Sequence, residues 1–266
     1  MSDPTRRNVL ITGAAGGIGQ AIATRMASTG YGIALLDTSA QLESAAATVA
    51  AYGGPCAWSR ADVTNPAQIA AARDAVRTAI GPIDGLINNA GVVNHIAPLV
   101  KMRVDLWQHE LEVNLTAPFL MTQAVLPSMV ERRWGRIVNI ASLAAHGGLY
   151  FQGGYSATKS GLLGLTRAVT LEHARHGVTC NAVLPGLIET QAVSQLPQAT
   201  RDDALSLTPA RRTGQPDEVA ALVAFLCSDD AGFINGAEID ISGGAHLCQI
   251  VLGSAKEVAA RRAAEP

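Results

Sequence analysis

The stretch Asn8-Val9-Leu10-Ile11-Thr12-Gly13-Ala14-Ala15-Gly16-Gly17-Ile18-Gly19 decides the fold. Its first five residues read as a short buried strand, and the pattern after Gly19 predicts a helix over residues 20–27. The glycines between them let the backbone approach a pyrophosphate, and the helix N-terminus offers free N–H donors. A strand, a glycine-rich turn and a helix in this order predict a nucleotide-phosphate site. No Gly-Lys-Ser/Thr follows, so the turn is not a P-loop.

An acidic residue ends the second predicted strand, which covers residues 32–37. Asp37 can accept hydrogen bonds from the ribose hydroxyls of an adenosine and repels a 2′-phosphate. No Arg or Lys occurs in the glycine-rich turn or in residues 38–40, where a 2′-phosphate would need one. The pattern therefore predicts NAD rather than NADP as the cofactor. The alternative is a solvated aspartate that caps the next helix.

Tyr155 and Lys159 lie four residues apart in a segment with a helical pattern, and Ser142 precedes them. Residues four apart share one face of a helix, so we expect the phenol and the ammonium to point the same way. A nearby cation lowers the pKa of a phenol from its usual value of about 10. We therefore expect Tyr155 to act as an acid/base and Ser142 to donate a hydrogen bond to the substrate oxygen. Each residue alone is equally compatible with an ordinary helix or loop.

Further segments complete a pattern of six motifs along the chain. Beside the glycine-rich turn and the Ser142, Tyr155 and Lys159 set, they are Asp62-Val63, Asn88-Asn89-Ala90-Gly91, Asn114 within Glu112-Val113-Asn114, and Pro185-Gly186-Leu187-Ile188-Glu189-Thr190. In this order they resemble the short-chain dehydrogenase/reductase family over residues 8–244. The resemblance is strongest to the branch of 3-oxoacyl carrier-protein reductases and secondary-alcohol dehydrogenases. Two departures are Ser242-Gly243-Gly244, where the family usually has Asp-Gly-Gly, and a longer tail after Gly244.

The resemblance implies a role for each motif. It implies a catalytic set of Asn114, Ser142, Tyr155 and Lys159. It implies cofactor contacts from Gly13, Gly16, Gly17, Ile18, Gly19, Asp37, Asp62, Val63, Asn89, Ala90, Gly91, Tyr155, Lys159, Pro185, Gly186, Ile188 and Thr190. Lys159 would hold the nicotinamide ribose, Asn114 would interrupt a helix and fix a water that relays protons, and Thr190 would hold the nicotinamide carboxamide.

The expected reaction is a hydride transfer between the nicotinamide and a carbinol carbon. In the oxidation direction, Tyr155 removes the alcohol proton while the hydride moves to C4 of NAD⁺. Candidate substrate contacts are Ser142, His95, Leu143, His146, Leu149, Gln152 and Leu187. With their neighbours Ile96 and Tyr150 these residues form a mostly apolar set, and the predicted lid over residues 187–210 carries a single basic residue, Arg201. A phosphorylated or CoA-type substrate would prefer a basic clamp, so the pattern favours an apolar secondary alcohol or ketone.

The chain of 266 residues has no linker, repeat or low-complexity run, which predicts a single domain over residues 1–266. Alternating strands and helices predict an α/β fold of the doubly wound, Rossmann type, with about seven parallel strands and helices on both faces. The predicted strands over residues 85–88, 135–140 and 178–183 are apolar without alternation, as in parallel sheets covered on both faces. Residues 245–266 form a tail that could dock at a subunit interface or fray.

Composition argues against several other classes of protein. The formal charge of −2 and the lack of a basic stripe exclude a typical nucleic-acid partner. The apolar runs are too short to span a bilayer, and residues 1–7 lack the apolar core of a signal peptide, so we expect a cytoplasmic protein without a membrane partner. Four scattered cysteines without CxxC spacing predict no metal site. Cys180 and Cys227 are expected to be buried thiols.

Three functions are compatible with these observations. The leading hypothesis is an NAD-dependent short-chain alcohol dehydrogenase or ketone reductase (EC 1.1.1.-). The second is a 3-oxoacyl-(carrier protein or CoA) reductase, which predicts a preference for NADPH. The third is a non-catalytic NAD-binding scaffold or sensor. The resemblance also implies a homo-oligomer, a homotetramer for preference, built on the predicted helices over residues 116–129 and 156–176. Gly161 and Gly164 on the latter suggest close packing, either on a second subunit or on the chain's own sheet.

Overall fold

The computed structural model describes residues 6–93 and 95–247, and the predicted tail lies outside these residues from position 248 onward. Within the described residues, seven parallel strands form one sheet in the order β3-β2-β1-β4-β5-β6-β7. The strands are β1 Asn8–Thr12, β2 Gly32–Asp37, β3 Cys56–Arg60, β4 Gly85–Asn88, β5 Gly135–Ile140, β6 Val178–Pro185 and β7 Glu238–Ile241. The predicted fold class is confirmed.

Helices connect the strands and cover both faces of the sheet. They are α1 Gly17–Ser28, α2 Leu42–Ala50, α3 Pro66–Ile80, α4 Val104–Leu111, α5 Ala117–Arg132, α6 Ala144–Gly147, α7 Gly153–His173, α8 Gln191–Ser194, α9 Gln198–Ser206 and α10 Pro216–Leu226. A single π-helical turn, Glu112–Thr116, joins α4 to α5 without a break. The predicted lid over residues 187–210 contains the two short helices α8 and α9.

The strand order reverses beside β1. From β1, the chain first adds β2 and β3 on one side of the sheet. It then returns to the other side of β1 and adds β4, β5, β6 and β7 in that order. At the point where the strand order reverses, a crevice opens at the carboxyl ends of the strands. Ligands of doubly wound folds bind in this crevice. The glycine-rich turn after β1 and the segment after β4 form the two walls of this crevice.

The core consists of two main layers, one on each face of the sheet. Alternate residues of β1 face opposite layers, as the period of a strand requires. Ile11 packs in the layer that α1 and α10 cover, with Ile22 and Val223. Leu10 packs in the opposite layer, with Met121. Burial on both faces explains the continuous apolar runs of the central strands. Cys180 and Cys227 are buried in this core, as predicted.

The helical stretch Val104–Arg132 is long and apolar enough to cross a membrane by length and composition alone. Its apolar character has a simpler explanation, because Ala117, Met121 and Val125 are buried against the sheet. A helix that covers a sheet in the core of a domain passes the same test of length and composition. The buried face of this stretch is part of the core, and its π-helical turn carries Asn114.

Candidate active site

The glycine-rich turn approaches the segment after β4 so closely that side chains cannot fit. Gly13 has a φ of +64°, and a Cβ there would lie 2.8 Å from the Cα of Ala90. A Cβ on Gly19 would lie 2.2 Å from the carbonyl oxygen of Gly13. Asn89 fixes the approach, because its Nδ2 donates to the carbonyl oxygens of Thr12 (3.0 Å) and Gly13 (2.9 Å). The predicted cofactor residue Asn89 therefore acts as a clamp on the turn.

A cavity of about 650 Å³ lies beyond the turn at the carboxyl edge of the sheet. Small-molecule and cofactor sites have volumes of this size. Its wall includes Gly13, Gly16, Gly17, Ile18, Asp37, Asp62, Val63, Asn89, Ala90, Gly91 and Thr190. These residues come from five separate segments of the sequence, and the fold brings them to one place. The narrow glycine cradle and the size of the cavity fit a dinucleotide.

Two carboxylates, those of Asp37 and Asp62, lie in the wall of this cavity. Asp37 accepts hydrogen bonds from the backbone N–H groups of Ala15 and Ser39, both at 2.9 Å. An ionised carboxylate has about four acceptor positions, so each oxygen of Asp37 retains capacity toward the cavity. Asp62 instead directs one oxygen to the N–H and the hydroxyl of Thr64, both at 2.8 Å. Asp37 is thus held rigidly at the place where a ribose would be recognised.

A second cavity of about 350 Å³ adjoins the first and contains the predicted catalytic groups. Helix α7 presents Tyr155 and Lys159 on one face, and Ser142 follows β5. The Lys159 Nζ atom lies 5.6 Å from the centre of the Tyr155 ring and donates to the carbonyl oxygen of Ile140 at 2.8 Å. The phenol forms a side-chain hydrogen bond with Ser142. Acid/base chemistry on a substrate oxygen needs these groups side by side.

Asn114 reaches the same cluster from the π-helical turn. Its Oδ1 accepts from the N–H of Val92 at 2.7 Å and its Nδ2 donates to the carbonyl of Val92 at 2.8 Å. A Cβ on Gly91 would lie 3.3 Å from Asn114 Oδ1 and 3.5 Å from Lys159 Nζ. Gly91 therefore lets the amide and the ammonium approach each other. π-Helical turns are rare and often occur at functional sites.

Burial shifts the pKa values of both ionisable catalytic groups. Lys159 is nearly inaccessible to water, and this desolvation lowers its pKa to about 8. Burial raises the pKa of Tyr155, and the carboxyl of Glu110 raises it further, while the hydrogen bond from Ser142 opposes the rise. The prediction that Lys159 lowers the pKa of Tyr155 is therefore wrong for this structure. The loss of water around the phenol is the largest influence on its pKa.

The segment after β6 closes the site. A Cβ on Gly186 would lie 2.9 Å from the Cα of Ser242, so the segment packs directly on the strand end after β7. Thr190 lies beside the turn, with its Cγ2 3.4 Å from the position of a Cβ on Gly17. Its hydroxyl accepts from the N–H of Val193 and so caps α8. Pro185, Gly186, Leu187 and Ile188 line the catalytic cavity.

Two of the seven predicted substrate contacts, Ser142 and Leu187, line the catalytic cavity. The ring of His95 accepts from the backbone N–H of Arg103, and His146 pairs with Glu238 at 2.9 Å. The short helix α6 directs His146 away from the cavity toward β7. Leu143, Leu149 and Gln152 also lie outside the cavity wall. The wall also contains residues that were not predicted from the sequence: Val92, Val93, Ile140, Ala141 and Val193.

Two of these omitted residues carried a signal in the sequence. Val92 and Val93 directly follow the Asn88-Asn89-Ala90-Gly91 motif, and strand-end residues at this edge face ligands. Glu110 was also missed, although an acid one helical turn before Asn114 interrupts an otherwise apolar face. Among residues 6–93 and 95–247, no group of three or more His, Cys, Asp or Glu side chains could hold a metal ion.

Comparison with known proteins gives consistent results. A family model described as enoyl-(acyl carrier protein) reductase matches residues 13–246. The 3-oxoacyl-[acyl-carrier-protein] reductase FabG of Vibrio cholerae is 38% identical over 90% of this chain and 96% of its own length. The acetoacetyl-CoA reductase of Cupriavidus necator is 36% identical over 91% of this chain and 99% of its own length. A crystal structure of levodione reductase superimposes with a TM-score of 0.87 at 35% identity, covering 90% and 97% of the two chains.

The buried ammonium predicts a dependence of stability on pH. Lys159 has a pKa of about 8 in the folded protein and 10.5 when exposed, so unfolding takes up a proton between these values. The contribution of Lys159 to the free energy of unfolding must therefore rise with pH across this window, by at most about 1.4 kcal/mol per pH unit. Urea unfolding of the wild type and of Lys159→Met at each pH gives the two free energies of unfolding. The difference between them measures the contribution of Lys159. A difference that stays constant from pH 7 to pH 10 would contradict the assigned burial.

Proposed function

The chain belongs to the short-chain dehydrogenase/reductase family, and on this basis we propose that it reversibly reduces the 3-oxo group of an acyl thioester. Two enzymes that act on 3-oxoacyl or acetoacetyl thioesters, by their names, align with about nine-tenths of the chain. The observation that carries the proposal is the convergence of Ser142, Tyr155 and Lys159 in one cavity beside the glycine cradle. The intact set argues against a non-catalytic NAD-binding scaffold.

Each catalytic side chain has a task that its surroundings support. A bound nicotinamide supplies the hydride acceptor or donor for the carbon centre. Tyr155, protonated at neutral pH, donates its proton to the substrate oxygen in the reduction direction. Ser142 holds the same oxygen through its hydroxyl. Lys159, with a pKa of about 8, can take up and release a proton near neutral pH, and it lies close to Asn114 across Gly91.

We propose NAD as the cofactor. Asp37 is fixed by two backbone N–H groups at the end of β2, where its charge opposes a 2′-phosphate. Among the cavity-lining residues there is no Arg or Lys in the part that Asp37 occupies. A preference for NAD distinguishes the proposed enzyme from the NADPH-dependent 3-oxoacyl reductase, which is the second hypothesis from the sequence.

A second candidate is the NAD-dependent oxidoreduction of an apolar secondary alcohol or ketone that carries no phosphate. Val92, Val93 and Val193 give the catalytic cavity an apolar wall. Arg201, the single basic residue in the predicted lid, pairs with Glu189 at 2.7 Å and is engaged within the chain. The phosphates of CoA or of a carrier-protein arm need a cation that is available for them. Levodione reductase, whose fold is closely similar, is consistent with such a substrate by its name.

The acid/base role of Tyr155 predicts that Tyr155→Phe lowers kcat by about a hundredfold or more. NADH binding, followed by fluorescence, should change little, since the phenol is not needed to hold the adenosine half. Tyr150→Phe is the matched control, because Tyr150 is 91% exposed and outside the cavity. The assays use acetoacetyl-CoA and, in parallel, an apolar cyclic ketone. Preference for the ketone selects the second candidate, and near-normal turnover of Tyr155→Phe with both would refute the assigned role.

The position of Asp37 predicts that Asp37→Ala relaxes the choice of cofactor. A hydrogen bond to a charged group contributes about 1.5–3 kcal/mol, so the ratio of kcat/KM for NADH to that for NADPH should fall about tenfold to a hundredfold. Asp74→Ala, at an exposed position on α3, is the control. An unchanged ratio in Asp37→Ala, or a wild type that strongly prefers NADPH, would show that this carboxylate does not select the ribose.

We propose a cytoplasmic homo-oligomer, a tetramer for preference. On α7, Gly161 packs against Leu115 of its own chain, whereas Gly164 is exposed with open space around it. Phe119 on α5 and Leu171 on α7 are large apolar side chains that are 46% and 85% exposed. Burial against a second copy would remove this apolar surface from water. Light scattering after size exclusion should give about four times the 27.6 kDa chain mass, and a monomer would overturn the proposal.

A further inference from the structure

A buried carboxyl group beside the catalytic tyrosine has no role in the function proposed above. Glu110 lies on α4, one helical turn before Asn114, and is 0% exposed. Glutamate is almost never fully buried unless its charge is compensated, because removing a carboxylate from water is costly. One compensation comes from the loop after β4, since Glu110 Oε1 accepts a hydrogen bond from the backbone N–H of His95 at 3.3 Å. The carboxyl therefore connects α4 to the loop that leads to Val92 and Val93.

The other oxygen of this carboxyl lies against helix α7. A Cβ on Gly154 would lie 2.2 Å from Glu110 Oε2 and 3.3 Å from the ring of Trp107. No side chain larger than hydrogen fits there while Glu110 keeps its position. Gly154 directly precedes Tyr155, so the carboxyl sits against the backbone that carries the phenol. Glu110 can occupy this position because residue 154 is a glycine.

We propose that Glu110 is a positioning residue that ties the loop at His95 to the helix bearing Tyr155, and that its negative charge opposes ionisation of the Tyr155 phenol. The inference deepens the proposed function and rests on it for the role of Tyr155. A negative charge near a phenol favours the protonated form. The site is thereby kept ready to donate a proton to a carbonyl oxygen, which is the chemistry of the reduction direction.

Several charged and titratable groups surround Glu110, and the titration of the others has to be distinguished from that of Tyr155. On α7 they are Tyr155 and, beyond the phenol ring, Lys159. On the loop, the imidazole of His95 accepts a hydrogen bond from the N–H of Arg103. At the start of α4, Arg103 pairs with Asp105 in solvent, where water screens both charges. His109 on α4 is exposed. Among these groups, Tyr155 directly follows Gly154, whose backbone the Glu110 carboxyl contacts.

The experiment titrates Tyr155 directly, without cofactor or substrate. The chain has only four tyrosines, so the ultraviolet difference spectrum between a protein and its Tyr155→Phe version isolates this phenol. Glu110→Gln keeps the shape of the side chain and removes its charge, and we expect the pKa of Tyr155 to fall. Glu131→Gln, at an exposed position on α5, is the matched control and should leave the titration unchanged.

A second readout follows the enzyme at work. The rate of ketone reduction should fall at high pH as Tyr155 loses its proton, and in Glu110→Gln this falling limb should move to lower pH by the same amount. A purely structural role would lower the rate without moving the limb. Coincident titrations of the Glu110→Gln, Glu131→Gln and wild-type proteins would overturn the inference. If the titration shifts but no substrate is turned over, the proposed function fails and the inference about charge stands.

The packing half of the inference has its own test, which requires no activity. Gly154→Ala should lower the melting temperature of the wild type, because the new methyl group meets the Glu110 carboxyl. In a Glu110→Ala background the same substitution should be neutral or stabilising, since alanine favours a helix over glycine. Equal losses in the two backgrounds would show that the carboxyl does not occupy this position. This double-mutant cycle remains informative if Glu110→Gln alone folds poorly.

Discussion

The arrangement of the active site depends on the hydrogen bond from the Lys159 ammonium to the carbonyl oxygen of Ile140. That carbonyl ends β5, at the edge of the sheet where ligands bind, and the ammonium belongs to α7. The bond therefore fixes the helix that carries Tyr155 relative to the strand that leads to Ser142. It also keeps a cation inside the protein, which costs free energy through desolvation. The same ammonium lies close to the Asn114 amide across Gly91.

Two buried ionisable groups lie beside Tyr155. The Lys159 Nζ atom lies 5.6 Å from the centre of the ring, whereas Glu110 lies behind the backbone at Gly154. Burial itself is the largest influence and favours the neutral phenol. The balance differs from the simple picture of a tyrosine activated by one lysine. A phenol in these surroundings keeps its proton, as the proposed role of proton donor requires.

The fold and most of the cofactor wall could be predicted because they follow from local patterns. The apolar strands, the glycine-rich turn and Asp37 each have a distinct signal within a few neighbouring residues. The catalytic cavity was less predictable, because its wall depends on where loops turn in space. His146 lies close to Ser142 in sequence, yet α6 directs it to Glu238. The pKa of Tyr155 was mispredicted for a similar reason: the spacing of Tyr155 and Lys159 predicts their common face but says nothing about the water that the fold excludes.

The π-helical turn over Glu112–Thr116 has a consequence for the length of the chain. Successive residues of an α-helix are rotated by about 100° around its axis. Deleting one residue from this turn would restore a regular helix and rotate Asn114 away from Val92, or else turn Met121 and Val125 out of the core. Neither half of the stretch can absorb the change, because both are already packed. The number of residues between α4 and α5 is therefore constrained as strongly as their identity. Insertions or deletions should be tolerated in the loops before α4 and after α5, and not within this helical stretch.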